Sequence, residues 1–552
     1  FALMRGKVVI TSAWLSDFEV QLSKQDSISP LNIQFIIDAF KPKDDKPKGK
    51  VDFVINSLNI SNGKFSYDVK DKPYKQNTFD ENHIQVADLQ AKLSLKSTAS
   101  DSLNIQVKKI SLKEKSGFEI SNLVFRLITQ DKKASVRGFK LDLPSSYLEL
   151  NRCEIDLTPT NDTAKVLDYA KLDCIIAHSH LSPKDIAAFT PTLQYFKDEV
   201  TLEGHISGSV DNLMIRDLMV DYGNEMHLVS NTEIMDIRDK DKMYILGSID
   251  ELTVSSDGIE NLINNFSKNR KNLPDELKRL GNISFEGDIS GYLKQLTAFG
   301  SLETALGIVR MDVLFGVKPR SGIDYAIKGK VESSGFELGT LLGNNDLEKI
   351  SLNLSVDMDK PLYSRLRGNA QGNIYDLYYR GYTYHDIIID ADYDGLQVNG
   401  QLAMDDPNGK LHVDGLFDLT DKDNPKLNFH ASLKNAQLYD LNLAQKMPHS
   451  YLSLVVDADF TGKDIDNAIG YLRIDSIDFI REDKLFQMNS FLVEVSGLQD
   501  DRNLKITSDI INGEIKGDYS FSTLANSVQQ TLHPFLSALI RPKNKIRPDE
   551  KD

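Results

Sequence analysis

Apolar and polar residues alternate along much of the chain, as in "ISFEGDI" (283–289), "LNLSVDMD" (352–359) and "LHVDG" (411–415). A period of two is typical of β-strands with one dry face and one wet face. Antiparallel sheets contain such strands, whereas parallel sheets buried under helices do not. Turn signals such as "DDPNGK" (405–410) and "DKDNP" (421–425) separate the alternating runs. The pattern predicts a mostly β, antiparallel fold.

The apolar positions of the alternating runs are the candidate binding surface. The residues that we expect to line the inside of the sheet are Val200, Leu202, Ile206, Ile283, Phe285, Ile289, Leu352, Leu354, Val356, Leu411 and Val413. Either they face an open hollow or they fill it as an ordinary core, and the sequence does not decide between the two.

One phrase of the sequence is repeated. "VTLEGHISGSVDNL" (200–213) returns as "ISFEGDISGYLKQL" (283–296), and weaker versions follow. The second glycines of the four versions are Gly208, Gly291, Gly372 and Gly462, at intervals of 83, 81 and 90 residues. A fixed period indicates a repeat architecture, here with about four to six strands per repeat. We expect each glycine to mark a bulge or bend of a curved sheet.

Helical patterning is confined to short segments. Residues 181–196 predict a helix with Ser182 as N-cap and Pro183 at its first position. Residues 257–266, 336–344 and 439–447 predict short helices that punctuate the sheet.

The C-terminal segment differs, because apolar residues recur there at helical spacing despite Pro534, ahead of a basic tail. These apolar residues are Leu524, Val528, Leu532, Phe535, Leu536 and Leu539. Such a helix either lies on a membrane surface or covers a sheet end and links to a further part of the protein.

The chain's 552 residues exceed the usual size of a single core. They form either about three or four globular domains or one continuous repeat architecture. Linkers are lacking between residues 200 and 520, which favours a sheet folded lengthwise into a trough. With about 16 residues per strand and turn, on the order of 30 strands in single file would extend roughly 140 Å. The predicted divisions are an N-terminal β region (1–160), a helical connection (161–199), β repeats (200–282, 283–365, 366–455 and 456–520) and an amphipathic helix with a basic tail (521–552).

Composition excludes some functions. The formal net charge of −16 argues against a nucleic-acid partner, and the mixed stretch 41–50 is expected to be a solvated loop. A run of about 18 apolar residues and a signal peptide are both missing from the sequence. Because strand-like patterning begins almost at Phe1, we expect an anchor or targeting signal upstream of this sequence.

Candidate chemistry is sparse, and we predict no cofactor, no metal and no enzymatic activity. Cys153 and Cys174 form either one disulfide or two core thiols. Asp418, Asp421 and Asp423 are expected to make Asx turns on a hairpin loop rather than a calcium site, because no EF-hand spacing follows. Motifs of hydrolases, nucleotide-binding folds and zinc proteases are missing. A carbohydrate-active enzyme is the weakest hypothesis, since the single Trp offers no set of stacking platforms.

Several stretches together resemble one family. They are similar to the TamB branch of the AsmA-like superfamily, in that family's order. The stretches are the "G-x-I-S-G" phrases, "FELGTLLGNNDLEKISLNLSV" (336–356), residues 438–475, residues 79–96 and residues 111–127. The resemblance implies an elongated, repeating β-groove in the periplasm of a Gram-negative cell, with an N-terminal anchor in the inner membrane. It also implies a BamA-like barrel, TamA, as partner of a C-terminal domain that this sequence lacks.

Two functions follow from this resemblance and from the alternating pattern. The first is a bridge-like conduit in which the apolar positions carry phospholipid acyl chains between the inner and outer membranes. The second is a scaffold or chaperone for outer-membrane proteins and secretion, which would add client strands to exposed sheet edges.

Overall fold

Among the residues that the computed structural model of the protein describes, thirty β-strands dominate. The structure describes residues 7–35, 52–76, 78–97, 102–157, 170–196, 198–265, 272–273, 275–318, 323–361, 365–464, 466–482, 484–497, 501–518 and 520. The predicted loop at 41–50 and the predicted C-terminal helix and basic tail lie outside these residues.

The first fifteen strands precede the first α-helix. They are β1 (Lys7–Ile10), β2 (Ala13–Ser16), β3 (Glu19–Lys24), β4 (Asp52–Val69), β5 (His83–Ser97), β6 (Ser102–Glu114), β7 (Glu119–Ile120), β8 (Asn122–Gln130), β9 (Lys133–Asp142), β10 (Tyr147–Asp156), β11 (Lys171–Leu181), β12 (Val200–Ser209), β13 (Asn212–Tyr222), β14 (Met226–Met235) and β15 (Tyr244–Val254).

The other fifteen strands follow. They are β16 (Ile283–Tyr292), β17 (Gln295–Thr304), β18 (Gly307–Lys318), β19 (Ile323–Phe336), β20 (Leu347–Pro361), β21 (Arg367–Tyr379), β22 (Tyr382–Asp394), β23 (Gln397–Asp406), β24 (Gly409–Asp418), β25 (Lys426–Gln437), β26 (Ser450–Thr461), β27 (Ile469–Arg481), β28 (Lys484–Ser496), β29 (Arg502–Ser508) and β30 (Asn512–Gly517).

Strand pairing follows chain order. From β8 to β16 and again from β18 to β30, each strand pairs antiparallel with the next one. The N-terminal segment departs from this rule, because β1, β2 and β3 pair parallel with β4. The predicted class, a mostly β chain with an antiparallel sheet and a few short helices, is confirmed.

The chain divides into two units. Unit 1 contains Phe1–Leu296 and Leu302–Ala305, and unit 2 contains Thr297–Ser301 and Leu306–Asp552. The repeats predicted to begin at 200 and 283 start at the first residues of β12 and β16, and the one predicted to begin at 366 starts one residue before β21. The repeat predicted to begin at 456 starts inside β26. The predicted helical connection at 161–199 contains β11, since "KLDCIIAHSHL" pairs with the strands on both sides of it.

Helices are short, as expected. The α-helices among the described residues are α1 (Ser256–Asn265), α2 (Asp275–Arg279) and α3 (Leu338–Leu342), so the helices predicted at 257–266 and 336–344 are confirmed. The helix predicted at 181–196 is instead a pair of 3₁₀ turns, Pro183–Ile186 and Pro191–Tyr195, because Pro191 cannot continue the first one. Ser182 precedes the first turn but makes no side-chain cap hydrogen bond. Residues 439–447 form turns rather than a helix.

Within the described ranges, no helix combines the length and the apolar character needed to cross a membrane.

Candidate functional site: an apolar face on each unit

Apolar side chains form continuous cross-strand rows on one face of unit 1. Residues that oppose each other on paired strands point to the same face, so the register defines each row. One row consists of Ile55, Leu95, Ile105, Leu127, Val136, Cys153, Cys174, Ile206, Ile215, Thr232, Gly247 and Ile289. The row crosses the sheet from β4 to β16, and Thr232 is its one polar member. We call the face that carries it the apolar face of unit 1.

The predicted lining residues of β12 and β16 belong to common rows. Val200 is joined to Ile283 through Tyr222, Met226 and Val254. A second row consists of Leu202, Val220, Leu228, Leu252 and Phe285. Ile206 and Ile289 share the row described above. Two runs of sequence more than eighty residues apart therefore present their apolar side chains on the same face.

Unit 2 has the same arrangement over a similar number of strands. The Leu354 row consists of Met311, Val331, Leu354, Gly372, Ile389, Leu402, Val413, Ala431, Val456, Ile474 and Phe491. The Val356 row consists of Val313, Gly329, Val356, Ala370, Ala391, Gly400, Gly415, Phe429, Ala458, Leu472, Val493 and Ile506. Leu352 and Leu411 lie in a parallel row. These rows define the apolar face of unit 2.

The opposite face of unit 2 is mainly polar, although Ile388, Leu416 and Leu492 also lie on it. One row of it, directly beside the Leu354 row, consists of Asp312, Lys330, Ser355, Gln371, Asp390, Gln401, Asp414, His430, Asp457 and Arg473. The His430 imidazole Nδ1 lies 2.8 Å from Asp457 Oδ1. Along these two rows, the faces of the same strands offer different chemistry to a ligand.

Most of the predicted lining side chains keep part of their surface exposed, whereas two of them are buried. Phe285 and Val356 retain 7% and 8% of their exposed surface. The other nine predicted residues are half-buried. At the margin of the apolar face of unit 2, Phe315 is 45% exposed and Val398 is 39% exposed. Such surface is available to an apolar ligand.

Three of the four repeat glycines sit at regular ladder positions. Gly208 pairs with Leu213 and Gly291 with Ile245, and both have left-handed backbone, with φ of 106° and 135°. The register shifts that we expected at these glycines lie instead about four residues earlier, beside the first glycine of each phrase. Gly372 is regularly paired in the Leu354 row. Gly462 follows the end of β26 and donates its N–H to the Pro425 carbonyl oxygen at 3.0 Å.

Cys153 and Cys174 form a disulfide across β10 and β11. The two residues oppose each other directly in the register, and they are 7% and 9% exposed. The disulfide is part of the apolar row that contains Ile206. Of the two states that the sequence left open, the structure therefore has the bonded one.

Polar groups at the strand ends serve the fold. Asp418 accepts hydrogen bonds from the Thr420 N–H at 3.0 Å and from the Thr420 hydroxyl, and Asp421 accepts one from the Asp423 N–H at 3.0 Å. The predicted Asx turns are thus confirmed. Among the residues that the structure describes, no group of three His, Cys, Asp or Glu side chains is arranged to hold a metal ion.

A cavity of about 680 Å³ in unit 1 has polar and apolar walls in nearly equal parts. Its polar residues include Asp221, Glu225, His227 and Glu303, and Met226, Val254 and Ile283 also line it. His227 Nδ1 lies 2.5 Å from Asp221 Oδ1, and the Thr201 hydroxyl donates to Asp221 Oδ2 at 2.9 Å. The hydrogen bond from His227 is the largest cause that holds the pKa of Asp221 below its usual value. These carboxylates make the cavity a poor place for an apolar ligand.

A second cavity, of about 550 Å³, lies in unit 2 and has mainly apolar walls. Its walls include Leu427, Phe460, Leu472, Val493 and Val495, which all belong to the apolar face. The alternating pattern predicted the direction of these side chains, but a gap in their packing has no signature in the sequence.

No protein-family model matches this chain, and no curated protein or solved structure is significantly similar to it.

Proposed function

We propose that the chain is a bridge-like lipid conduit of the TamB type, in which the apolar faces carry phospholipid acyl chains between the inner and outer membranes of a Gram-negative cell. The observation that supports this most directly is the set of apolar cross-strand rows, in which many side chains remain half-buried. A protein that used these residues only as a core would have little reason to leave them accessible across so many strands.

The physical role of the apolar face is to replace water around an acyl chain. Covering apolar surface is worth about 25 cal/mol per Å². The rows repeat every strand, so a bound chain meets nearly the same surface as it moves from one strand to the next. Strands lie about 4.8 Å apart, which makes each step short. A face of this kind favours retention of an acyl chain without fixing it at one position.

Other parts of the proposal rest on the resemblance and on one structural feature. Disulfides persist in oxidising compartments such as the bacterial periplasm, and the Cys153–Cys174 bond fits that location. Anchorage in the inner membrane, a BamA-like barrel partner and the lack of enzymatic activity remain parts of the proposal.

Site-specific photocrosslinking in cells tests the conduit. A photoreactive residue at Ile289 or Leu354 is expected to capture phospholipid. The matched controls are Asp288 and Ser355, which are the neighbouring residues on the polar face of the same strands. Equal capture at both faces, or none at Ile289 and Leu354, would overturn the proposal.

A scaffold for outer-membrane proteins is the second candidate, favoured by the strand that ends the sheet among the described residues. Strand β30 pairs with β29 on one side. Ile510 and Ile511, next to it, are 66% and 59% exposed. A client strand added to β30 would continue the sheet by β-augmentation. Crosslinks from Glu514 to polypeptide, together with none to lipid from Leu354, would favour this function over the conduit.

A further inference from the structure

The apolar cavity of unit 2 lies where β25 to β28 meet two loops, residues 419–425 and 462–468. Its volume of about 550 Å³ falls within the range of ordinary ligand sites. The floor is formed by the apolar face itself, through Leu472 and Val493. The cavity is therefore a local deepening of the surface that we propose to carry lipid.

One apolar row that lines the cavity lacks a side chain at one position. Gly470 opposes Phe460 on β26 and Val495 on β28, so the row has a gap between two apolar residues. A Cβ at this position would collide with the backbone of Asp459 and Phe460, so glycine is the residue that fits here and the row keeps its gap. A ligand of small cross-section fits between the flanking side chains.

The two loops at this end of the strands are joined by one backbone hydrogen bond and one ion pair. Gly462 N–H donates to the Pro425 carbonyl oxygen at 3.0 Å. Lys463 Nζ lies 3.5 Å from Asp423 Oδ1, and the two side chains are 50% and 89% exposed. An exposed ion pair at this distance contributes little to stability, and Lys463 can readily exchange Asp423 for another anion.

Lys463 is the cationic side chain among the described residues that line the cavity. The neighbouring Asp464 carboxylate is held in a turn, where its Oδ1 accepts from the Asn467 N–H at 2.9 Å and from Asn467 Nδ2 at 2.6 Å. The site thus combines apolar walls with one ammonium group, which complement an acyl chain and the phosphate of the headgroup of one phospholipid.

We infer that this cavity holds one acyl chain of a phospholipid whose phosphate binds the Lys463 ammonium in place of Asp423. The inference rests on the proposed lipid function and adds to it a defined resting place with a chemical preference. Phosphate-bearing lipids are retained there, whereas diacylglycerol, which has the same chains but no phosphate, gains only the apolar contact.

Photolabelling of the purified chain tests the inference. The probes are phosphatidylethanolamine, phosphatidylglycerol and diacylglycerol, each with a diazirine on one acyl chain, and the labelled peptides are mapped by mass spectrometry. We expect both phospholipids to label residues 460–472 and 493–495 at least about fivefold more than diacylglycerol does, as an interaction of about 1 kcal/mol would produce.

Two kinds of variant separate the ammonium from the cavity. Lys463→Glu is expected to reduce phospholipid labelling to the level of diacylglycerol. Lys505→Glu is the matched control, because Lys505 pairs with Glu494 at 3.6 Å, is 56% exposed and lies on the polar face. Val495→Trp and Ala468→Phe fill the cavity and are expected to remove labelling by all three probes, and circular dichroism checks that each variant folds.

The outcomes also distinguish this inference from the proposed function. Labelling confined to other parts of the apolar face, such as the strands of Leu354 and Leu402, would overturn the inference and leave the conduit standing. Equal labelling by diacylglycerol and both phospholipids would overturn the role of Lys463. A lack of lipid labelling anywhere on the chain would overturn the conduit, and the inference with it.

Discussion

Gly208 and Gly291 occupy the same cross-strand row of unit 1, four strands apart. The row between them consists of Gly208, Leu213, Ile234, Ile245 and Gly291. An interval of 83 residues in the sequence therefore equals a whole number of strands. This relation explains why the phrase is repeated: each copy enters the sheet at the same height and turns its apolar residues to the same face.

Substitution of these glycines is expected to destabilise the strands around them. Gly208 and Gly291 have left-handed backbone, and an added Cβ would meet the carbonyl oxygens of Asn212 and Gln295. We expect Gly208→Ala or Gly291→Ala to lower the local free energy of unfolding by about 1–3 kcal/mol. Hydrogen exchange of β12, β13 and β16 measures this effect.

Two other glycines serve as controls for that prediction. Gly117 has φ of 96° and open space around it, so Gly117→Ala reports backbone strain alone. Gly513 has no left-handed backbone and no close neighbour, so Gly513→Ala is expected to change the stability little. If Gly208→Ala lowered the local free energy of unfolding no more than Gly117→Ala, the close approach to Asn212 would not contribute to the destabilisation.

A charge on the apolar face is expected to block lipid movement while the sheet survives. Ile289 and Leu354 are half-buried, so a charged end at either position reaches water but interrupts the apolar row. We expect Ile289→Asp and Leu354→Arg to reduce the rate of phospholipid transfer between vesicles at least tenfold. The reason is that an acyl chain must then pass an unpaired charge, which raises the free energy of that step. Ser355→Arg, on the polar face, is the control and should transfer at the wild-type rate.

Much of the fold and of the lining surface is predictable from the sequence, because strand alternation is a local property. Ile283, Phe285 and Ile289 alternate with polar neighbours whatever strand they pair with, so their common face follows directly. The positions of the turns between strands are equally local, as the Asx turns after Asp418 show.

Features that depend on pairing between distant strands were not predictable. Bulges occur where Asp217 and Asn435 have left-handed backbone with φ of 49° and 51°, beside register shifts. Nothing in the residue types alone marks these positions among the many other Asp and Asn residues of the chain. The parallel pairing of β1 to β3 with β4 and the gap at Gly470 are likewise set by which strands become neighbours.

The disulfide is expected to stabilise unit 1. Cys153 and Cys174 are separated by 21 residues, a loop length at which a disulfide contributes roughly 3 kcal/mol. Reduction is expected to lower the Tm, which circular dichroism measures with and without a reducing agent. The double variant Cys153→Ala/Cys174→Ala should melt near the reduced wild type and should not respond to the reductant. A response of the double variant would place the effect elsewhere.

Asp221 is expected to make the strand ends of unit 1 sensitive to acid. Its pKa is lowered by the hydrogen bond from His227 and further by the one from Thr201. A carboxylate whose folded pKa is depressed stabilises the fold above its unfolded pKa, about 3.9, and this contribution is lost as the pH falls through the folded pKa. Asp221→Asn should therefore flatten the dependence of Tm on pH below about 4. Asp288→Asn, also on the polar face, is the control.

Three arginines, Arg126, Arg137 and Arg152, oppose one another on β8, β9 and β10 of the polar face. Like charges placed directly opposite destabilise a sheet. The charge of Arg152 is balanced by Asp173, whose carboxylate lies 3.0 Å away. Arg137 stands between the other two, so Arg137→Thr is expected to raise stability by about 0.2–1 kcal/mol at low salt. The gain should shrink as salt screens the charges. Thermal melts at several salt concentrations measure it, and a gain that does not change with salt would point to the β-propensity of Thr instead of relieved repulsion.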